Sequence, residues 1–246
     1  MRRRFFVDRF DGRRATLSGD SAHHAGRVLR VAPGQLYELS DGHSIWLARV
    51  ETAKRDAVEF SLLEPVEAPA ATLVTRLLLS IVKFDRFEWA LEKASELGVA
   101  EIIPLAAGRS EKTLVTAAKK RADRWEKILL ESAQQSRRLS PAILDEVGTP
   151  FESLSEAARR RDASIPRILL SERPTAPPLR DVLTAFPRET TRTAVLAVGP
   201  EGGWTDEEFA LATRSGFAEV SLGPTILRTE TAVTAALASI NYALGY

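Results

Sequence analysis

The feature that most constrains the fold is a change of rhythm near residue 73, after which short apolar runs alternate with segments of helical periodicity. Arg76–Val82, Glu101–Leu105, Arg167–Leu170, Ala194–Val198 and Ala218–Leu222 read as strands. The near-continuous apolarity of the first, RLLLSIV, is that of a strand buried on both faces. Between them, Phe84–Leu97 puts Phe87, Ala90, Leu91, Ala94 and Leu97 on one helical face, with Asp85 and Glu88 as a capping pair and Gly98 as the stop. Ala122–Gln135 is a second helix, with Trp125, Ile128, Leu129 and Ser132 on its inner stripe, and Leu179–Phe186 a shorter one. Thr149-Pro150-Phe151-Glu152 and Thr205–Glu208 (TDEE) carry the cap-plus-glutamate pattern that starts a helix. Such alternation predicts a parallel sheet covered by helices, an α/β domain.

The first sixty residues read differently. From Arg4 to about Leu63, short period-2 segments are broken by Asp11-Gly12, Pro33-Gly34 and Asp41-Gly42, as in a small β-barrel, with one helix-like stretch at Ser21–Leu29. Glu64–Thr72, EPVEAPAAT, reads as a linker, which divides the chain into domains 1–70 and 71–246. His23 and His24 lie side by side on the helix-like stretch and so point in different directions; no metal site is expected.

Composition removes several classes of function. There is no cysteine among the 246 residues, which excludes disulfide scaffolds, thiolate zinc sites and cysteine nucleophiles. The start MRRRFFVDRF reaches Asp8 before an apolar signal region develops, and no apolar run approaches membrane-spanning length, so the chain reads as cytoplasmic. A net charge of +1 conceals a basic end: residues 1–30 hold eight arginines against three aspartates. An arginine-rich arm is an electrostatic footprint for a phosphate backbone, although a merely solvated face accounts for it too.

Two loops follow strand ends, where an open α/β sheet binds its ligands. Gly199–Gly203, GPEGG, combines a proline of fixed φ with glycines that let the backbone approach a ligand, yet a tight strand-to-helix turn explains it equally well. It lacks the spacing of a dinucleotide fingerprint, and no GxxxxGK[ST] occurs in the chain. The second loop, Leu222–Thr231 (LGPTILRTET), places Arg228 between a turn and an alanine-rich helix for which Thr229 is the N-cap. A guanidinium held there more often meets an anion, a partner or a substrate than serves packing.

GPEGG followed by LGPTILRTETA resembles the signature of the RsmE family of 16S rRNA uracil-N3 methyltransferases, within the SPOUT superfamily. The resemblance runs along the whole chain, through HHAGRVLR, KFDRFEWALEKASELGV, RSEKT and RWEKILLESAQQSRR. It implies a PUA-like RNA-binding barrel at the N-terminus, and a SPOUT-type parallel-sheet domain whose C-terminal segment forms a trefoil knot. It further implies S-adenosylmethionine as methyl donor, a homodimer, and N3 of the uridine at position 1498 of 16S rRNA as target in the small ribosomal subunit.

On that basis Leu170, Gly199, Gly202, Leu222, Gly223, Ile226 and Leu227 are expected to cradle the cofactor through backbone and apolar contacts. Core packing accounts as well for Leu170, Leu222 and Ile226. Arg228 is expected to orient uracil or stabilise its developing negative charge, with Glu201 or Glu230 as proton acceptor, both of which also have turn or helix-start explanations. RNA contacts are expected at Arg2, Arg3, Arg4, Arg9 and Arg30, and at Arg109, Lys112, Arg137 and Arg138. Two other readings stand beside this one: a SPOUT ribose 2′-O-methyltransferase, and a non-enzymatic RNA-binding assembly factor.

Overall fold

The computed structural model describes residues 3–68, 73–159 and 164–245. Arg2 and the expected domain boundary after residue 70 lie outside the described residues. The chain divides into two compact units, one of Met1–Ala70 with Ala133–Pro141, the other of Ala71–Ser132 with Ala142–Tyr246.

In the smaller unit, β1 (Arg4–Phe6), β2 (Arg14–Ser18), β3 (Leu36–Ser40), β4 (Ile45–Ala53) and β5 (Ala57–Val66) form one sheet in the order β1-β3-β4-β5-β2, joined by helix α1 (Gly19–Arg27). Period-2 patterning buries Ala15 and Leu17 of β2 and Val58, Phe60 and Leu62 of β5 in a core shared with Phe5, Leu39 and Val50. Among the described residues no β1–β2 ladder closes the sheet, so the barrel is an open one. The linker begins later than its composition suggests. Glu64, Pro65 and Val66 still pair with Leu47, Trp46 and Ile45 of β4. Pro65 is tolerated because β2 pairs β5 only up to Ser61, leaving the far side of this stretch without a ladder to interrupt.

The larger unit holds β6 (Val74–Ser80), α2 (Phe84–Glu96), β7 (Glu101–Leu105), α3 (Lys112–Ala118), α4 (Ala122–Gln135) and β8 (Ile143–Leu144). It continues with α5 (Pro150–Arg159), β9 (Arg167–Leu170), α6 (Leu179–Leu183), β10 (Thr193–Val198), α7 (Asp206–Arg214), β11 (Ala218–Val220) and α8 (Thr229–Ile240). The six strands are parallel, in the order β11-β9-β10-β6-β7-β8. Alternate residues of β10 explain its continuous apolarity: Ala194, Leu196 and Val198 join a core with α2, α4, α6 and α8, while Val195 and Ala197 join another with α5 and α7.

Of the three expected capping pairs, two form. Thr205 and Glu208 form a reciprocal capping box at α7, and Thr149 and Glu152 exchange the same bonds at α5. The expected Asp85–Glu88 pair at α2 is not formed, since the N-cap is Lys83 with no side-chain bond. Glu88 instead accepts from Arg121 at 3.0 Å and Arg124 at 2.7 Å, and the Arg124 hydrogen bond holds its carboxyl below the usual range. Two guanidiniums outcompete one backbone N–H for this carboxylate.

Candidate active site

Three adjacent strands end side by side: β10 in the turn Gly199–Gly203, and β9 and β11 in the loops that begin at Ser171 and Ser221. Their carboxyl-end loops, with Arg86 and Arg109, enclose a cavity of about 470 Å³, within the range of small-molecule sites. Its apolar wall is Leu170, Val198, Leu222, Ile226, Leu227 and Ala232.

Each strand end is shaped by a different device. Within GPEGG, the Gly203 N–H donates to the Pro200 carbonyl at 2.8 Å and Gly203 takes φ +68°, a left-handed turn that a side chain would strain. A Cβ on Gly199 would stand 3.0 Å from Nε1 of the buried Trp204, which itself donates to the Leu170 carbonyl at 3.0 Å. This indole ties the end of β9 to the turn after β10. At the third loop, the Ser221 hydroxyl donates to the Gly223 carbonyl and accepts from the Gly223 N–H. The N–H groups of Leu222, Thr225, Ile226 and Leu227 have no acceptor among the described residues, so main-chain donors are available to a ligand.

Four guanidiniums and three carboxylates line the cavity: Arg86, Arg109, Arg173 and Arg228 with Glu172, Glu201 and Asp206. Most are mutually engaged. Arg86 pairs with Glu201; Arg173 pairs with Asp206 and lies over the Phe209 ring, 3.5 Å from its centroid; Arg109 donates to the Gly202 carbonyl at 3.0 Å. Arg228 and Glu172 have no ion pair or side-chain hydrogen bond among the described residues.

Of the residues expected from sequence to hold a cofactor, Leu170, Gly199, Leu222, Gly223, Ile226 and Leu227 line the cavity. Gly202 does not: a Cβ there would meet Arg109 Cβ at 3.2 Å, and Gly203 takes its place in the wall. Arg228 lines it as the N-cap of α8, the position expected of Thr229, which is instead the first helical residue and is buried. Of the expected proton acceptors, Glu201 lines the cavity but is engaged by Arg86, and Glu230 does not line it. Glu230 Oε2 is buried without a hydrogen-bond partner.

Sequence reasoning missed Glu172, Arg86, Arg173 and Trp204; Arg86 lies within KFDRFEW but was read only as part of a helix, and the others gain a role only when the strands assemble. It also missed the second role of Glu208. Beyond capping α7, its carboxylate accepts from the Gly108 N–H at 2.8 Å and so fixes the loop that carries Arg109.

The basic residues separate into two groups. Arg9, Arg30, Arg109 and Lys112 are exposed and Arg3 half-exposed. Arg30 sits at φ +53° where the Val28, Leu29 and Val31 N–H groups close on the carbonyls of His24 and Ala25, so it also terminates α1. Arg4 is a correction. It is 2% exposed, it binds Glu38 at 2.7 and 3.1 Å, and it donates to the carbonyls of Arg137 and Arg138, leaving its guanidinium no face for phosphate.

Arg137 also binds Glu38, from a left-handed position (φ +58°) at the end of α4, where the Arg138 N–H donates to the Ala133 carbonyl. Burial raises the Glu38 carboxyl, but the hydrogen bonds from Arg137 and Arg4 outweigh it and hold the group below its usual range. Burial likewise pulls Arg138 down to about 10, still cationic at neutral pH.

The comparisons with known proteins agree with this anatomy. Residues 69–241 match the family model described as an RNA methyltransferase domain, and residues 17–63 the one described as an RNA methyltransferase PUA domain. The chain is 34% identical to ribosomal RNA small subunit methyltransferase E of Synechocystis sp., over 92% of this chain and 72% of that one. Among solved structures it is similar to ribosomal RNA small subunit methyltransferase E from Neisseria gonorrhoeae bound to S-adenosyl methionine, with TM-score 0.85 and 31% identity over 100% of this chain and 99% of that one. It is similar too to a Legionella pneumophila methyltransferase in complex with the same cofactor, with TM-score 0.82 and 30% identity over 99% and 98% of the two chains. A PUA-type sheet, a parallel-sheet domain with its cavity at three strand ends, and these matches together make the chain a member of the RNA methyltransferase family of ribosomal RNA small subunit methyltransferase E.

Proposed function

We propose that this protein transfers a methyl group from S-adenosylmethionine to N3 of the uridine at position 1498 of 16S rRNA in the small ribosomal subunit. The observation that carries the reading is the cavity at the ends of β9, β10 and β11, lined both by apolar side chains and by arginines. The residues present fit the cofactor. Leu170, Leu222, Ile226 and Leu227 offer an apolar slot for adenine, and Gly199, Gly203 and Gly223 bring backbone to the cavity wall. When bound, the cofactor supplies an electrophilic methyl group on sulfonium.

The protein's own part is orientation and charge. N3 of uracil lies on the Watson–Crick edge and carries a proton, so the base must be unpaired and deprotonated as it reacts. Arg228 lines the cavity with no side-chain partner among the described residues and is placed to hold the uracil carbonyl oxygens, on which negative charge grows. Arg3, Arg9, Arg30, Arg109 and Lys112 are proposed to bind phosphate, whereas Arg4, Arg137 and Arg138 act through the structure around Glu38. The reading extends to a homodimer and to a trefoil knot through the Leu222–Thr231 segment, which passes from β11, beyond β9, to the helix packed on α2.

The test is incubation with small ribosomal subunits and labelled cofactor, followed by nucleoside mapping. N3-methyluridine at the expected position is the expected product. A 2′-O-methylnucleoside would move the attack to ribose, and absence of cofactor binding by the folded protein would remove the enzymatic reading.

A further inference from the structure

The cavity's charged groups are mostly engaged with one another, and what is left over is informative. Of its three carboxylates, Glu201 is held by Arg86 and Asp206 by Arg173. Glu208, although near, is buried and has both oxygens on backbone N–H groups. Glu230 lies off the cavity wall. Glu172 alone lines the cavity with no hydrogen bond or ion pair among the described residues. On the cationic side the same exclusion leaves Arg228.

Resting on the reading above, we infer that Glu172 is the proton acceptor for N3 of the target uridine, working opposite Arg228. A general base needs a lone pair that is not already bonded and a place in the cavity from which to reach the proton. Glu172 meets both conditions with its whole carboxylate; Glu201 lines the cavity but has Oε1 held by Arg86, and Glu230, whose Oε2 is unpartnered among the described residues, does not line it. Its position is fixed by the fold. Glu172 is the second residue after β9, and the Ser171 N–H before it donates to the Val220 carbonyl at 2.9 Å, while the Ser171 hydroxyl donates to Glu219. The carboxylate rests beside the GPEGG turn: a Cβ on Gly203 would stand 3.3 Å from Glu172 Oε1, so the glycine leaves room for the acid as well as for the turn.

The step balances with the established reactants. The N3 proton passes to the Glu172 carboxylate, the nitrogen lone pair forms the N–CH3 bond, and the electrons of the broken C–S bond leave with the thioether. A carboxylate is a weak base for an imide proton, so charge left on the uracil oxygens has to be met as the proton moves. Arg228 is the free cation available for that.

The experiment compares the full-length protein with Glu172→Gln, Glu172→Asp and Glu201→Gln, in single turnover on small ribosomal subunits, with calorimetry of S-adenosylmethionine binding. Glu172→Gln is expected to slow transfer by about 100-fold or more at neutral pH. Its cofactor affinity should stay within a few-fold of wild type, and its residual rate should climb toward alkaline pH, where uridine ionises unaided. Subunits carrying 5-fluorouridine, whose N3–H is more acidic, should recover a larger fraction of the rate for Glu172→Gln than for wild type. Glu172→Asp should lie between the two.

Transfer by Glu172→Gln at close to the wild-type rate, or a loss and alkaline recovery seen in Glu201→Gln instead, overturns the assignment. Failure of the wild type to methylate the subunit despite binding cofactor would instead overturn the functional reading.

Discussion

Two clusters of arginine around carboxylate serve opposite ends. In the smaller unit, Arg4 and Arg137 converge on one glutamate, Glu38, with Arg4 and Glu38 nearly sealed from water. At the cavity, four arginines face three carboxylates; among the described residues two ion pairs form, Arg109 donates only to a backbone carbonyl, and Arg228 and Glu172 are left without a side-chain partner. Complete pairing makes a fixed scaffold, because a buried ion is tolerable only when its neighbours satisfy it. Incomplete pairing at an accessible wall leaves chemistry available to a substrate. The difference lies in burial and partner count, neither of which the residue type reveals.

The largest effect expected from breaking this contrast falls on the scaffold. Arg4→Ala should destabilise the protein by ~3–5 kcal/mol, as for one partner lost from a buried pair, read as a lowered denaturant midpoint. The pH dependence has a definite sign. The Glu38 carboxyl is depressed in the folded state, so its contribution is present above the ordinary glutamate range and is lost as pH falls through the depressed value. Acid unfolding should therefore begin at higher pH in a variant that removes Glu38's partners.

Arg228→Ala should do the reverse. Its stability should stay within ~0.5 kcal/mol of wild type, as for an exposed surface change. Methyl transfer should fall by about 100-fold, the effect of losing one donor at a developing oxyanion. Unchanged turnover in a rate assay would remove Arg228 from the chemistry.

Asp145, in the larger unit, sharpens the role of pairing at intermediate size. Burial first, and then a shared hydrogen bond and like charge with Glu101, raise its carboxyl to about 6, despite the nearby Arg76. A raised acid stabilises the fold only while protonated, below its unfolded value, and costs stability as pH rises through about 6. Asp145→Asn should thus stabilise the protein at neutral pH by ~1 kcal/mol after allowance for solvent screening, and the gain should vanish in acid.

The smallest effect concerns RNA. Replacing Arg3 and Arg9 by alanine should flatten the dependence of log affinity on log salt by about 1–2, whereas Arg4→Ala in still-folded protein should leave that slope unchanged. An equal change of slope in both variants would return Arg4 to the RNA-binding surface.

How much was legible in the sequence depended on the range of the interaction concerned. β7, β9 and α4 fall where apolar periodicity puts them, and α5 and α7 start at capping boxes only four residues long. Most of the apolar and glycine residues of the cavity wall were legible for a related reason, since two of its three loops carry glycine-proline turns. Ser171–Arg173 contributes the third loop, which holds no glycine and is turned by a single bond from the Arg173 N–H to the Ser171 hydroxyl, so Glu172 was passed over in favour of Glu201 and Glu230. Glu88 went the same way, read as a local cap when its partners are Arg121 and Arg124, more than thirty residues on.

The sequence by itself determined most of the strands and helices of the larger unit, that this unit is a parallel α/β sheet, and two of the three strand-end loops that line the cavity. Burial of apolar faces and capping of helix ends act over a few residues, and a linear pattern records them. Only the tertiary structure decided which charges are free. It brings Glu38 to Arg137 across 99 positions and Arg86 to Glu201 across 115, and so separates arginines that hold the fold from those, Arg228 among them, left accessible to a substrate. Ionic pairing depends on distance in space and on exclusion of water, and neither is written in the order of residues.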